Sequence, residues 1–319
     1  MDLKPTGSER SSLGGAGWEP RLAEHADEVS GGLVWARCGL RSEVAPLEAV
    51  LVARPPDSLG AVADAATQLM RAPVDLDAIR RQADGIAAAF DRHGVDVLVA
   101  EPPPTAPPNV IFMRDLFFMT PAGAVVGRTA ARQRAGEERY AAEALSAAGV
   151  PILATVTGQA HFEGADALWI ADDTVLLGLG FRTDDGGARV VGRVLGEQGV
   201  RTVSAPLGRG AQHLLGVVVP LDDRLAAVRS AAAGPELRAL LDRYGYRLIE
   251  LTDDADMLDA RGMNLVTLAP GHVLMPSGAP GIRARLVAAG VRVDEVDVGE
   301  YLNADGGLGC LTGIVRRRC

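Results

Sequence analysis

Short apolar runs alternate with helical segments along most of the chain, and their order repeats. Five times, a helical segment ends at a glycine, and a β-branched or aromatic residue then starts a short strand. These glycines are Gly94, Gly149, Gly199, Gly245 and Gly290. Glycine readily adopts the left-handed conformation that closes many helices. We therefore predict helices over 76–90, 137–148, 187–197, 235–244 and 282–289.

Pairs of apolar runs joined by a turn stand before these helices. Examples are 116–119 with 124–126, 167–170 with 175–177, and 265–268 with 272–275. The repeated unit is strand, strand, helix, strand, and five such units account for about residues 45–298. One unit cannot bury its own sheet face, so neighbouring units must stack. The pattern predicts an α/β fold in which five ββαβ units form a closed ring, with the helices outside.

The domain organisation follows from where this periodicity begins. Residues 1–31 are rich in glycine, serine and charge and show no period, so we predict a disordered or loosely docked tail. Residues 32–319 are predicted to form a single domain. A terminal strand over 311–315 is expected to close the ring.

Composition narrows the kinds of partner. A net charge of −9 and an aromatic content of 4% disfavour a nucleic-acid surface. Three cysteines favour the reducing cytoplasm over a disulfide framework, and no Cys/His spacing is typical of zinc, so no metal or cofactor is expected. No apolar run approaches the ~20 residues of a membrane span. A small-molecule substrate is the expected partner, and a homo-oligomer is compatible with these data.

A glycine-rich segment, 305–315, brings Cys310 to the predicted start of the terminal strand. Glycines there indicate a tight bend or a close approach to a ligand. A cysteine held in this way can act as a nucleophile once its pKa is lowered, whereas a lone cysteine is also a common small core residue.

Polar residues stand at the starts of several units and would meet at the centre of a ring. Each also has an ordinary structural interpretation: a capping ion pair, a polar turn or a satisfied core histidine. Acids at these positions favour a cationic substrate, and two arginines at strand ends suit a carboxylate. Together they predict a zwitterionic guanidino or amino compound. The residues are Asp115, Glu163, Asp166, His213, Arg128 and Arg182.

The motifs Asn109-x-x-Phe112-x-Arg114-Asp115, Phe162-Glu163-Gly164-x-Asp166, Arg182-Thr183, His213-Leu214 and Gly306-Gly307-x-x-Cys310 resemble those of the guanidine-modifying enzymes. That superfamily, the penteins, includes arginine deiminases, dimethylarginine dimethylaminohydrolases, arginine dihydrolases and amidinotransferases. The resemblance spans about residues 45–315 and implies a five-bladed αβ propeller. It also implies roles: Cys310 as nucleophile, His213 as general acid/base, Glu163 as its support, Asp115 and Asp166 on the guanidinium, Arg128 and Arg182 on the α-carboxylate, and Asn109 and Phe112 lining the pocket.

Two positions depart from the pattern of deiminases and amidinotransferases. Leu215 stands where they carry an acid, and Gly309 where they carry a histidine. Loss of these polar groups fits an N-substituted guanidine or an atypical arginine hydrolase. The sequence therefore favours a C–N hydrolase on arginine or a substituted arginine. An amidinotransferase, an arginine dihydrolase and a non-enzymatic binding propeller remain as alternatives.

Overall fold

The computed structural model describes residues 10–208 and 210–318. Fifteen strands occur within these residues. In chain order they are β1 Leu47–Ala53, β2 Asp96–Ala100, β3 Phe117–Thr120, β4 Gly123–Val126, β5 Ile152–Thr155, β6 Ala167–Ala171, β7 Thr174–Leu179, β8 Arg201–Pro206, β9 Val218–Asp222, β10 Leu225–Arg229, β11 Arg247–Leu251, β12 Val266–Ala269, β13 His272–Pro276, β14 Arg292–Val296 and β15 Gly313–Arg317.

The strands form five sheets of three strands each. In every sheet the middle strand pairs antiparallel with one neighbour and parallel with the other, as β4 does with β3 and β5. In the first sheet, β1 is the middle strand, β2 pairs parallel to it, and the C-terminal β15 supplies the antiparallel neighbour. The end of the chain therefore completes the first unit, and the predicted α/β fold of five ββαβ-type units is confirmed.

Eleven α-helices occur in the part of the chain that the structure describes. They are α1 His25–Gly31, α2 Asp57–Gly60, α3 Leu76–Arg92, α4 Met113–Leu116, α5 Glu138–Ala147, α6 Asp185–Gly196, α7 Pro235–Arg243, α8 Ala255–Leu258, α9 Pro280–Ala288, α10 Gly299–Asn303 and α11 Leu308–Leu311. None of the described helices is long and apolar enough to cross a membrane.

The five long helices α3, α5, α6, α7 and α9 lie within two residues of the predicted segments at each end. The glycine that follows each one has a positive φ, between 71° and 91°. Only glycine adopts this conformation without strain, which is why the helix ends were readable in the sequence.

The middle strands are buried on both faces. One residue from each shows this: Leu51, Val125, Leu176, Ala227 and Leu274 are at most 1% exposed. Strands covered on both faces read as continuous apolar runs rather than alternating ones. The near-uniform hydrophobic runs in the sequence therefore correspond to these middle strands.

The N-terminal segment differs in part from its prediction. Residues 1–9 lie outside the described residues. Within the rest of the predicted tail, α1 packs on the domain: Val29 is 1% exposed, and His25 Nε2 lies 2.9 Å from the carbonyl oxygen of Ala122. The ring of His25 also meets Trp35 edge-on. Residues 25–31 thus contact the domain, and a boundary at residue 32 stays a prediction.

Two local predictions about the unit starts were wrong. The terminal strand begins at Gly313, not residue 311, and Cys310 lies on the one-turn helix α11. His213 precedes a 3₁₀ turn, Leu214–Gly216, before β9 begins. Single turns are too short to produce a 3.6-residue hydrophobic period, so they were read as the first residues of the strands.

Candidate active site

The strands that pair antiparallel with the middle strands are called inner strands here; they are β3, β6, β9, β12 and β15. Single helical turns place polar side chains just before inner strands of different sheets. Asp115 lies on α4, which leads into β3. Glu163 and His213 each stand at the N-cap of a 3₁₀ turn, before β6 and β9 respectively. Cys310 lies on α11, before β15. The pseudo-symmetry of the fold therefore brings residues distant in sequence to equivalent positions.

The imidazole of His213 is paired with Glu163. His213 Nε2 lies 2.6 Å from Glu163 Oε2, and both side chains are buried. The backbone N–H of Ala130 donates to Glu163 Oε1 at 3.0 Å, and Arg182 Nη1 donates to the same oxygen at 3.3 Å. These contacts fix the carboxylate, which in turn fixes the orientation of the imidazole ring.

Charges around His213 raise its pKa to about 9. Burial alone would lower it, but the carboxylates of Asp115, Glu163 and Asp166 outweigh burial and favour the imidazolium. Burial likewise opposes ionisation of Glu163, yet its hydrogen bond to His213 and nearby cations hold its pKa well below the usual range. The pair therefore exists as imidazolium and carboxylate near neutral pH.

Asp115 presents one occupied and one free oxygen. Arg134 Nη1 donates to Asp115 Oδ2 at 2.6 Å. Asp115 Oδ1 is buried without a hydrogen-bond partner, and it lies 3.8 Å from His213 Nδ1. A buried carboxylate oxygen without a partner is costly, so it indicates a place where a ligand donor belongs.

Arg134 was missed by sequence reasoning. It is 2% exposed and also pairs with Glu137 and Glu163. Burial makes the pKa of Glu137 rise to about 8 despite the pairing with Arg134. The only sequence signal was an Arg-x-x-Glu spacing before α5, which is indistinguishable from an exposed surface pair.

A narrow cavity of about 20 Å³ joins several of the predicted residues. Phe112 packs against Gly306, where a Cβ would lie only 2.0 Å from the aromatic ring. Asn109 donates from Nδ2 to the carbonyl of Gln68 at 2.7 Å, while its buried Oδ1 has no partner. A second cavity of about 290 Å³ adjoins it and shares Gln212 and Asp305 with it. The lining of the narrow cavity is Leu69, Asn109, Phe112, Asp115, Arg134, Arg182, Gln212, Ala304, Asp305, Gly306 and Cys310.

The thiol of Cys310 is free and half-buried. Burial raises its pKa, and the negative charge of Asp115 raises it further, whereas the positive charge of Arg261 and hydrogen bonds from the Gly307 backbone and Asn264 act in the opposite direction. The thiol therefore favours its protonated form until positive charge enters the cavity.

Two predicted substrate contacts have other partners. Arg128 Nη1 donates to the carbonyl of Ala160 at 3.2 Å, and the residue is not part of the cavity lining. Asp166 accepts from the Thr183 hydroxyl at 2.6 Å and from the Leu214 N–H at 2.9 Å. Burial raises the pKa of Asp166 to about 6. Both oxygens of Asp166 are used within the protein, so it positions the turn that follows His213.

Two groups among the described residues have donor atoms close enough to surround a metal ion. One is Asp115, Glu163 and His213, where Arg134 already neutralises the acids. The other is His93, His272 and Asp294, away from the cavity, where Arg292 lies 3.6 Å from Asp294. Arginine next to the ligating carboxylate opposes cation binding in both groups.

Comparisons with known proteins identify the family of the chain. The family model for arginine deiminase matches residues 99–217. The chain is 31% identical over 246 residues to an N(G),N(G)-dimethylarginine dimethylaminohydrolase of Mycobacterium tuberculosis, covering 76% of this chain and 77% of the relative. The chain belongs to the guanidine-modifying, or pentein, superfamily.

Solved pentein structures share the fold. A dimethylarginine dimethylaminohydrolase of Pseudomonas aeruginosa, solved with citrulline, has a TM-score of 0.70 at 21% identity and covers 86% of this chain and 100% of its own. An amidinotransferase of Microseira wollei has a TM-score of 0.69 at 15% identity and covers 88% of this chain and 98% of its own. The superfamily thus includes both hydrolases and amidinotransferases, and these structures show the fold alone.

Proposed function

We propose that this pentein hydrolyses a guanidino C–N bond of arginine or an N-substituted arginine, giving citrulline and ammonia or a methylamine. One observation carries the proposal: the free thiol of Cys310 and the unpaired Oδ1 of Asp115 line one cavity, and the His213–Glu163 pair adjoins that oxygen. A nucleophile, an acceptor for a cationic group and a proton donor are thereby brought together around one cavity.

The substrate is oriented by charge at both ends. A guanidinium donates to Asp115 Oδ1, which satisfies the buried carboxylate oxygen. Arg182 also lines the cavity, and its buried Nε has no partner, so it can donate to an α-carboxylate. The unpartnered Oδ1 of Asn109 suits an α-ammonium group. Arg128 is left out of this scheme because its guanidinium is used by Ala160.

The reaction proceeds in two halves. The Cys310 thiolate attacks the guanidinium carbon and forms a C–S bond, and the carbon becomes tetrahedral. His213 gives its proton to the departing amine as the C–N bond breaks, which leaves a covalent thiouronium. Neutral His213 then takes a proton from water, which attacks the same carbon. Breaking the C–S bond returns the thiolate and gives the ureido product.

The pKa values fit this order of events. His213, with a pKa of about 9, carries the proton needed by the leaving amine at neutral pH. The pKa of Cys310 is raised in the free protein, and a bound cation lowers it, since an opposite charge nearby favours the thiolate. The substrate therefore activates its own nucleophile.

Substrate choice is the finer part of the proposal. Leu215 and Gly309, the two positions that depart from the deiminase pattern, are neighbours: a Cβ on Gly309 would lie 3.1 Å from Leu215 Cδ2. An apolar contact stands where the deiminase pattern has two polar groups, and both residues line a small neighbouring cavity rather than the narrow one. The position of Leu215 therefore supplies no carboxylate for an unsubstituted guanidinium nitrogen, which favours an N-methylated substrate.

The amidinotransferase alternative shares the first half-reaction. It differs in the acceptor, because an amine rather than water resolves the thiouronium. Formation of citrulline from arginine or methylated arginine without any added amine would support hydrolysis. Ornithine as the product would indicate a dihydrolase instead.

The test is a substrate panel with three measurements. Arginine, monomethylarginine, dimethylarginine and agmatine are incubated with the protein, and citrulline, ornithine and amines are quantified. Cys310→Ser should abolish turnover, and intact-mass spectrometry of the acid-quenched wild type should show the adduct. Cys38→Ser is the matched control, because Cys38 is buried elsewhere in the core and should leave turnover unchanged. Full activity of Cys310→Ser, or no product from any guanidine, would refute the proposal.

A further inference from the structure

The unit formed by β12, β13 and β14 contributes no residue to the site predicted from the sequence. Asn264 supplies a polar group from this unit. Asp115, Glu163, His213 and Cys310 each stand a few residues before an inner strand. Asn264 stands at the equivalent place, two residues before β12. The residue is 9% exposed. Position alone therefore puts it with the residues that converge on the site.

The side-chain amide of Asn264 contacts Cys310 twice. Its Oδ1 accepts from the Cys310 backbone N–H at 3.1 Å, and its Nδ2 donates to Cys310 Sγ at 3.0 Å. The amide orientation is fixed by chemistry, because a backbone N–H can only donate and must face the oxygen. The Asn264 carbonyl also accepts from the N–H of Gly309 at 3.1 Å. Asn264 thus contacts both the thiol and its backbone, and the backbone N–H of Gly307 is a further donor to the sulfur.

The glycine-rich turn is shaped around this amide. A Cβ on Gly307 would lie 2.9 Å from Asn264 Oδ1, and one on Gly309 would lie 3.1 Å from the same atom. Side chains at these positions would push the amide away from Cys310. This gives a physical reason for two of the glycines that precede the cysteine.

We propose that Asn264 positions Cys310 and donates the side-chain hydrogen bond that supports the thiolate before and during attack. A thiolate in a half-buried site must replace its water donors, and hydrogen bonds to charged groups are the stronger ones. Asp115 opposes the thiolate and Arg261 favours it, so a neutral donor on the sulfur adds to the effect of Arg261 without disturbing the bound guanidinium. The inference rests on the proposed function only in treating Cys310 as the nucleophile.

The test measures the thiol directly and does not require a known substrate. Alkylation of Cys310 by iodoacetamide is followed between pH 6 and 10, and mass spectrometry of the Cys310 peptide excludes the other cysteines. In Asn264→Asp, Oδ1 still accepts from Cys310 N–H, but a carboxylate oxygen replaces the donor at the sulfur. We expect alkylation at pH 8 to slow at least about tenfold and the profile to move to higher pH.

Asn303→Asp is the matched control, since it makes the same chemical change at an amide whose Nδ2 donates to Glu300. It should keep the wild-type profile. Asn264→Ser, which adds no charge, should move the profile in the same direction by less, and it decides the question if the aspartate variant does not fold. Wild-type alkylation profiles in the folded Asn264 variants would overturn the proposal. A shifted profile in a protein that turns over no guanidine would uphold this inference while refuting the proposed function.

Discussion

The proton on His213 gives the sharpest quantitative test of the site. Its pKa rises from 6.5 to about 9, which corresponds to about 3 kcal/mol in favour of the imidazolium. Glu163 contributes through the 2.6 Å hydrogen bond and through its charge. Glu163→Gln keeps the shape but removes the charge, and a charged hydrogen bond is about twice as strong as a neutral one. We expect the His213 pKa to fall by about one unit or more.

The shift also has a signature in stability. Because the folded-state pKa lies above the unfolded one, the stabilisation is fully present below about pH 6.5 and is lost as pH rises through about 9. Unfolding by urea at pH 6 and at pH 9.5 should therefore differ less in Glu163→Gln than in the wild type. The proposed general-acid step should slow by about 10²-fold or more.

Histidine-selective NMR between pH 5 and 10 measures the titration itself. The chain has five histidines, so His213→Gln assigns the signal. Asp184→Asn is the control, because Asp184 lies 3.2 Å from His161 Nδ1 in a half-exposed pair and should leave the His213 signal unchanged. A wild-type His213 that titrates near 6.5, or one whose pKa is the same in Glu163→Gln, would refute the electrostatic reasoning.

Three further outcomes are expected. Arg182→Met should raise KM roughly tenfold for a substrate with an α-carboxylate, whereas Arg128→Met should change KM little. Equal effects of the two variants in steady-state kinetics would contradict the assignment of Arg182 to the α-carboxylate. Arg134→Met leaves buried carboxylates without their cation, so urea unfolding should show a loss of about 3–5 kcal/mol, and a loss below about 1 kcal/mol would be inconsistent with this network. Gly164→Ala brings a Cβ to 2.0 Å from a backbone carbonyl oxygen and should lower the free energy of unfolding by about 3 kcal/mol or more. The control Gly196→Ala, on α6, places its Cβ where nothing lies within 4 Å, so it should be neutral or slightly stabilising. Similar melting temperatures for the two variants would refute the packing argument.

The sequence determined the repeated unit because its signals are local. A glycine in the left-handed conformation ends each long helix, and an uninterrupted apolar run marks each doubly buried strand. Both depend on neighbouring residues only. The same locality explains the errors, since a single turn such as α11 or the one after His213 has no period of its own.

The sequence pointed to candidate residues at the starts of units, but it did not reveal which residues contact them. Arg134 and Asn264 carried no distinguishing motif, although one binds the buried acids and the other contacts the thiol. Asp166 matched a motif, yet its oxygens are taken by Thr183 and Leu214. A motif gives the type of residue at a position and leaves open which atoms that residue meets.

Local patterns were sufficient to predict the number of units and the ends of the long helices. The folded arrangement was needed to see which carboxylate oxygen lacks a partner, which arginine donates to a backbone carbonyl and which amide contacts Cys310. Hydrogen bonds and ion pairs act over a few ångströms between residues far apart in the chain. Their partners therefore depend on how the units stack, which no local pattern encodes.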